Sequence, residues 1–226
     1  MKKVFFIWVM AGVMALTPAI VNAQSQKEIN KERKELLKQS KAKLNKRASK
    51  AARKEARKLV KQGWMVTPGA LPVAKQIDKS YLMQYEYDDT GYPTYIMGEA
   101  MSIGENYDAA KIQALELAKQ NLAGQIQTEV TALIENTVAN KQLAAEQAAS
   151  ISQSVLASKN LISQNLGRVI PVVEAYRTKS NKNKEVLVRI AYNSKMALEA
   201  AKSAIRQDLE KKGEDLHEQL DKVLGF

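Results

Sequence analysis

The chain has 226 residues, with 35 Lys+Arg against 24 Asp+Glu, a formal net charge of +11, one His and no Cys. Without Cys there are no disulfides, thiolate zinc sites, iron–sulfur clusters, Cys nucleophiles or acyl groups attached through Cys, and one His excludes an imidazole-rich metal site. A hydrophobic fraction of 45% is too high for a wholly disordered chain, and the length suits one domain plus an extension.

The first 23 residues have the layout of a secretory signal. Met1-Lys2-Lys3 is a short basic start, residues 4–16 form an uncharged apolar run, Thr17-Pro18 breaks it, and Val21 and Ala23 suit a cleavage site. A run of 13 residues is shorter than the roughly 20 a spanning helix needs. The alternative is a retained anchor, because Ala19-Ile20-Val21 extends the apolar stretch. The expectation is an exported protein, periplasmic or associated with the outer membrane.

Residues 24–63 are expected to form a basic helical arm. They lack Gly and Pro up to Gln62, are rich in Lys, Arg, Glu, Leu and Ala, and end at Gly63. Residues 27–62 hold 15 cations and four anions, so this segment alone is +11, and residues 64–226 are about −2. Lys43, Arg47, Lys50, Lys54, Arg57 and Lys61 are spaced four, three, four, three and four apart and would share one helix face. The apolar stripe, Leu37, Leu44, Ala48, Ala51 and Leu59, is thin, which suggests a projecting arm. Such a cation row repels itself unless a polyanion relieves it. Phospholipid or lipopolysaccharide phosphates fit this role, and a merely solvated face is the alternative. Nucleic acid is disfavoured, since the arm has no aromatic for base stacking.

In the body, residues 64–82 form an entry segment punctuated by Thr67-Pro68-Gly69 and Leu71-Pro72, and residues 73–87 suggest a short helix. Residues 88–93, Asp-Asp-Thr-Gly-Tyr-Pro, mark a turn. Residues 94–103 alternate as a strand with one large face (Tyr95, Met97, Met101, Ile103) and one small face (Ile96, Gly98, Ala100, Ser102, Gly104). The small face invites close approach of a helix. Asn106 is a candidate N-cap for a helix over residues 107–139, which would be ~50 Å long against ~33 Å for a ten-residue strand. The overhang needs a partner. Residues 141–166 supply one, either as a hairpin turning near Asn140 or as a continuation of one long helix. A hairpin of strands over residues 169–177 and 185–192 follows, with Pro171 marking an edge or a bulge. Ser194 is read as the cap of a last helix that runs to the C-terminus with an interruption at Gly213. The fold class is α+β, in the order β-αα-ββ-α, with a small antiparallel or mixed sheet covered by long helices on one face.

No residue set nominates an active site, cofactor site or metal site. His217 reads as a surface residue. Gly98 and Gly104 lack the Lys and Ser/Thr of a phosphate loop. Glu86, Asp88 and Asp89 do not have calcium-loop spacing. Tyr81, Tyr85, Tyr87 and Tyr92 belong to a Tyr-rich stretch over residues 81–107, which could serve packing or recognition of a protein or carbohydrate.

The block Tyr95-Ile96-Met97-Gly98-Glu99-Ala100-Met101-Ser102-Ile103-Gly104, followed by Ala109-Ala110, Ala114, Ala118 and Leu122-Ala123, resembles the LPP-twenty family of small envelope lipoproteins. The resemblance covers residues 93–195. It implies a compact β-α-β-β unit similar to dodecin-like folds and a non-enzymatic envelope role. Members commonly carry a lipidated Cys after the signal, and this chain has none. The expectation is therefore an exported envelope scaffold whose basic arm contacts an anionic surface in place of a lipid, with self-association through the long helices. The alternative is a periplasmic adaptor that binds an acidic protein or polysaccharide through the arm or the Tyr-rich segment.

Overall fold

The computed structural model describes residues 46–140 and 142–224, together with Lys31, Lys34 and Lys38. The signal segment and Lys43 lie outside the described residues. The chain divides into two units, residues 1–47 and Ala48–Phe226. In the first, Lys31, Lys34 and Lys38 are helical, and these three, Lys46 and Arg47 are exposed.

The second unit is α+β. Its elements are α1 (Lys50–Lys61), α2 (Val73–Gln84), β1 (Tyr95–Gly104), α3 (Tyr107–Ala139), α4 (Ala145–Ala157), α5 (Lys159–Asn165), β2 (Ile170–Thr178), β3 (Lys184–Asn193), α6 (Ser194–Lys212) and α7 (His217–Leu224). The sheet is antiparallel throughout, in the order β1-β3-β2. β2 is an edge strand and also carries a bulge between Pro171 and Val173, so Pro171 sits where its missing N–H costs no ladder bond.

The small face of β1 receives α3. An added Cβ on Gly98 would lie 2.5 Å from the Ala118 carbonyl oxygen, and one on Gly104 would lie 2.7 Å from the Ala110 nitrogen. Ala110, Ala114 and Ala118, one helical turn apart, are fully buried in this contact. Asn106 caps α3, its Oδ1 accepting the Ala109 N–H at 2.9 Å. The start of α3 is clamped to β2. The Tyr107 hydroxyl donates to Glu174, Lys111 Nζ lies 2.9 Å from the same carboxylate, and the Tyr107 and Tyr176 rings meet edge to face at 5.3 Å. Burial first, then the bond to Glu174, raises the Tyr107 hydroxyl above the ordinary phenol range.

Beyond the sheet, Ile126, Val130 and Ile134 of α3 join one core with Ile151, Val155 and Ile162 from α4 and α5 and with Leu209 and Leu220 from α6 and α7. The chain reverses at Asn140, so residues 107–166 form a hairpin. Its second arm is two helices, with a break at the buried Ser158, whose hydroxyl donates to the Ser154 carbonyl at 2.5 Å. The last helix is capped by Asn193, not Ser194. Asn193 Oδ1 accepts the Met196 N–H at 3.1 Å, and Ser194 Oγ turns back to the Pro93 carbonyl at 2.6 Å. Gly213 ends that helix in the left-handed region, at φ 72°, and α7 follows as a separate element.

Helices cover both faces of the sheet, against the expectation of one. Val186, Val188, Ile190 and Tyr192 of β3 face α3 and α6. Leu187, with Val173 and Ala175 of β2, faces α1 and α2. Nor is residues 24–63 one projecting helix. Residues 46–49 are not helical, Ser49 caps α1 by accepting the Ala52 N–H at 3.2 Å, and Ala48, Ala52 and Ala56 are buried against Ile77, Trp64 and the sheet. The compact unit thus begins near Ala48 rather than at residue 64. It gains six cations and Glu55 from α1, which moves its formal charge from −2 to +3.

Both sheet edges carry blocking contacts. On β1, Asn121 Nδ2 and Gln125 Nε2 each donate at 2.8 Å to the Glu99 and Met97 carbonyls. On β2, the Glu174 N–H donates to Gln76 Oε1 at 2.7 Å, and Tyr176 exchanges two 2.8 Å bonds with the Met65 backbone. These bonds occupy groups through which another chain would add as a strand.

Candidate functional site

The most distinctive surface of the second unit is built on α1. Six of its twelve residues are basic, and its one acid, Glu55, points inward. Arg189 on β3 holds Glu55 at 3.6 Å, together with its cross-strand partner Glu99 at 2.5 Å and Ser80 Oγ at 2.9 Å. The Tyr81 hydroxyl also donates to Glu55. That bond first, then burial, pushes the Tyr81 hydroxyl up to about 12. Glu55 is therefore engaged below the helix and does not neutralise its outer face. Lys50, Lys54, Arg57, Lys58 and Lys61 are all exposed there.

Of the expected cation row, the structure brings together Lys50, Lys54, Arg57 and Lys61. Arg47 precedes the Ser49 cap and lies in the first unit, so the row does not run through it as one helical face. The Arg57 and Lys61 side chains make no hydrogen bond or ion pair with another described residue.

A cleft of about 740 Å³ opens beside these cations. One wall is the α1 flank, Arg53, Ala56, Arg57, Val60 and Lys61; the other comes from Met65, Val66, Pro72, Val73 and Ala74, with Trp64 between. The sequence builds it through Gly63. At φ 85°, Gly63 lets the chain reverse, with the Gly63 N–H donating to Val60 O at 3.0 Å and the Trp64 N–H to Leu59 O at 3.1 Å. Trp64 is thereby tucked under the helix, 3% exposed, with the Arg177 guanidinium 4.7 Å from its ring centroid. Arg177 is held by Glu185 at 2.6 Å, a bond that draws the Glu185 carboxyl below its ordinary range. Gln76 fixes the far wall by donating to the Leu71 carbonyl at 2.7 Å. Val60, Met65 and Leu71 are left 57%, 48% and 41% exposed.

The Tyr-rich stretch divides. Tyr81 is committed to Glu55, which makes it a packing residue. Tyr92 is half-buried in the turn organised by Asp88, whose Oδ1 accepts the N–H groups of Thr90 and Tyr92 at 2.9 and 3.0 Å. The Thr90 hydroxyl also bonds Asp88 and lowers its carboxyl. Tyr85 and Tyr87 are exposed, at 67% and 56%, beside Leu82 at 62%. Tyr81→Phe is therefore expected to lower the unfolding free energy by about 1.5 kcal/mol, and Tyr85→Ala to change it by less than ~0.5 kcal/mol, in urea melts followed by circular dichroism.

His217 is partly exposed, with Nε2 3.8 Å from Glu210. Among the described residues no three His, Asp or Glu side chains are grouped to hold a metal ion, and no helix is long and apolar enough to cross a membrane. Arg53, Trp64 and the far wall of the cleft were missed in the sequence. The available signal was Ala48, Ala52, Ala56 and Leu59 at helical spacing, leading through Gly63 into Trp64. Comparison with protein-family models, curated proteins and solved structures returns no match.

Proposed function

We propose that this chain is a non-enzymatic protein of the cell envelope that docks on an anionic surface through α1. The observation that carries the reading is the orientation of α1. Its alanine stripe anchors the helix to the sheet, its one acid faces inward, and five cations face out. Because α1 is already fixed to the sheet, its backbone needs no ordering when the cations meet phosphates, and each cation near an anionic lipid surface contributes ~1 kcal/mol. The signal-like first 23 residues and the resemblance of the strand–helix block to envelope lipoproteins support the compartment.

The test is sedimentation of the full chain with phosphatidylglycerol vesicles. Binding is expected in ~0.1 M salt and release as salt approaches ~1 M, where the Debye length falls from about 10 to about 3 Å. Neutral phosphatidylcholine vesicles should leave the protein in the supernatant. Association that salt does not weaken would sink the proposal.

One observation favours a second reading, the periplasmic adaptor. Leu82, Tyr85 and Tyr87 expose apolar surface at the end of α2 and just beyond it. Exposed aromatic clusters of this kind suit protein recognition.

A further inference from the structure

The cleft beside α1 has a chemistry that surface docking leaves unused. Its volume, about 740 Å³, falls within the roughly 300–1,000 Å³ of small-molecule sites. Its charge is one-sided. Arg53, Arg57 and Lys61 all stand on the α1 wall, and the facing wall is apolar. A ligand that fits both walls has an apolar body and an anionic end.

We propose that the cleft takes one acyl chain of an anionic phospholipid, with the phosphate held by Arg57 and Lys61. This rests on the docking reading above, since the lipid is met at the surface α1 binds.

Three features favour an acyl chain over an acidic peptide. The lining side chains offer cationic donors and the Trp64 indole N–H but no oxygen acceptor, so the N–H groups of a buried peptide backbone would find no side-chain partner. On the nearby β2 edge, the Tyr176 carbonyl is already taken by the Met65 N–H. An acyl chain needs no such partners, and it would cover Val60 and Met65, which water now reaches. Arg57 and Lys61, without partners among the described residues, are free to take a phosphate.

Trp64 reports on the cleft directly. The chain has two Trp, so Trp8→Phe in the full chain leaves Trp64 as the sole indole. This protein is mixed at low salt with phosphatidylglycerol vesicles whose acyl chains are either plain or brominated at mid-chain. Loss of most Trp64 emission with the brominated lipid only is expected. Ala74→Phe, which fills the cleft from its half-buried far wall, should abolish that quenching and leave vesicle sedimentation unchanged. Val60→Asn, an exposed position whose substitution keeps the charge, provides the same test independently of whether the Phe variant folds. Sedimentation without any difference between plain and brominated lipid overturns the acyl proposal and leaves surface docking standing. Failure to sediment overturns both. Quenching that survives in both variants overturns the assignment to the cleft. A shift of Trp64 emission by an acidic amphipathic peptide, with no bromine quenching, overturns the lipid in favour of a peptide.

Discussion

Gly98→Val is expected to lower the unfolding free energy by about 3 kcal/mol or more, among the largest effects of any single substitution in the sheet. The reason is geometric. Gly98 is buried on β1 beneath α3, and the first carbon of any side chain would stand 2.5 Å from the Ala118 carbonyl oxygen and 3.2 Å from Leu122 Cβ. The obstacle is helix backbone, which cannot rotate away as a side-chain tip can. The helix must lift as a body, and lifting it opens the contacts of Ala110, Ala114 and Ala118 with the strand. Gly124, on the same helix, provides the control. A Cβ there meets only the end of the Lys159 side chain at 3.7 Å. Gly124→Ala should therefore stabilise the protein by up to ~1 kcal/mol, the ordinary gain from replacing glycine inside a helix. Urea unfolding of the two variants should move in opposite directions. A tolerated valine at residue 98 would mean that α3 does not lie on β1 in this way.

That contact was readable from the chain, because it has a sequence signature of its own. A strand with Gly, Ala, Ser and Gly on alternate positions leaves room for something close, and a helix with Ala at four-residue spacing is what can come close. The Asn106 cap and the length mismatch between α3 and β1 were equally legible, since caps and rises per residue are local properties. The reversal at Asn140 was legible only as one of two readings, because Ile151, Val155 and Ile162 offer a face matching Ile126, Val130 and Ile134, but a continuous helix would show the same period.

What the chain did not disclose depends on partners distant in sequence. α1 looked like a solvated arm because its apolar stripe is almost all alanine, and alanine gives little signal on a hydropathy scale. Burial of Ala52 and Ala56 becomes favourable only because Ile77, Val173 and Leu187 come from α2, β2 and β3 to meet them. In sequence Glu55 is just one of the four anions among the 15 cations of residues 27–62. Its real partners, Arg189 and Tyr81, are 134 and 26 residues away, and no local spacing rule reaches them. Trp64 behaves similarly. In sequence it is one aromatic after a helix-stopping glycine, and the cleft exists only once Gly63 reverses the chain and Met65 joins β2. The misplaced cap at Ser194 has a smaller cause. Asn193 and Ser194 are both good caps, and the choice was decided by the Pro93 carbonyl, which takes the Ser194 hydroxyl.

The inward turn of Glu55 makes α1 separable into a structural face and a charged face, and this sets up a prediction in which binding and stability part company. Lys54→Gln, Arg57→Gln, Lys58→Gln and Lys61→Gln, made together, remove four exposed cations and touch none of Ala48, Ala52, Ala56 or Glu55. At ~1 kcal/mol per cation near an anionic surface, the loss is about 4 kcal/mol, close to a thousandfold in affinity for phosphatidylglycerol vesicles. The fold should respond with the opposite sign. Lys54 and Lys58, and Arg57 and Lys61, lie one helical turn apart, and removing each like-charge pair relieves a few tenths of a kcal/mol of repulsion. Lys61 and Lys58 also sit favourably at the C-terminal end of the helix dipole, which offsets part of that gain. The unfolding free energy should therefore stay within ~0.5 kcal/mol of wild type or rise slightly. Vesicle sedimentation and urea unfolding on the same preparation read the two quantities. A variant that loses binding and stability together would show that these cations serve the fold, and one that keeps its affinity would remove α1 from the contact surface.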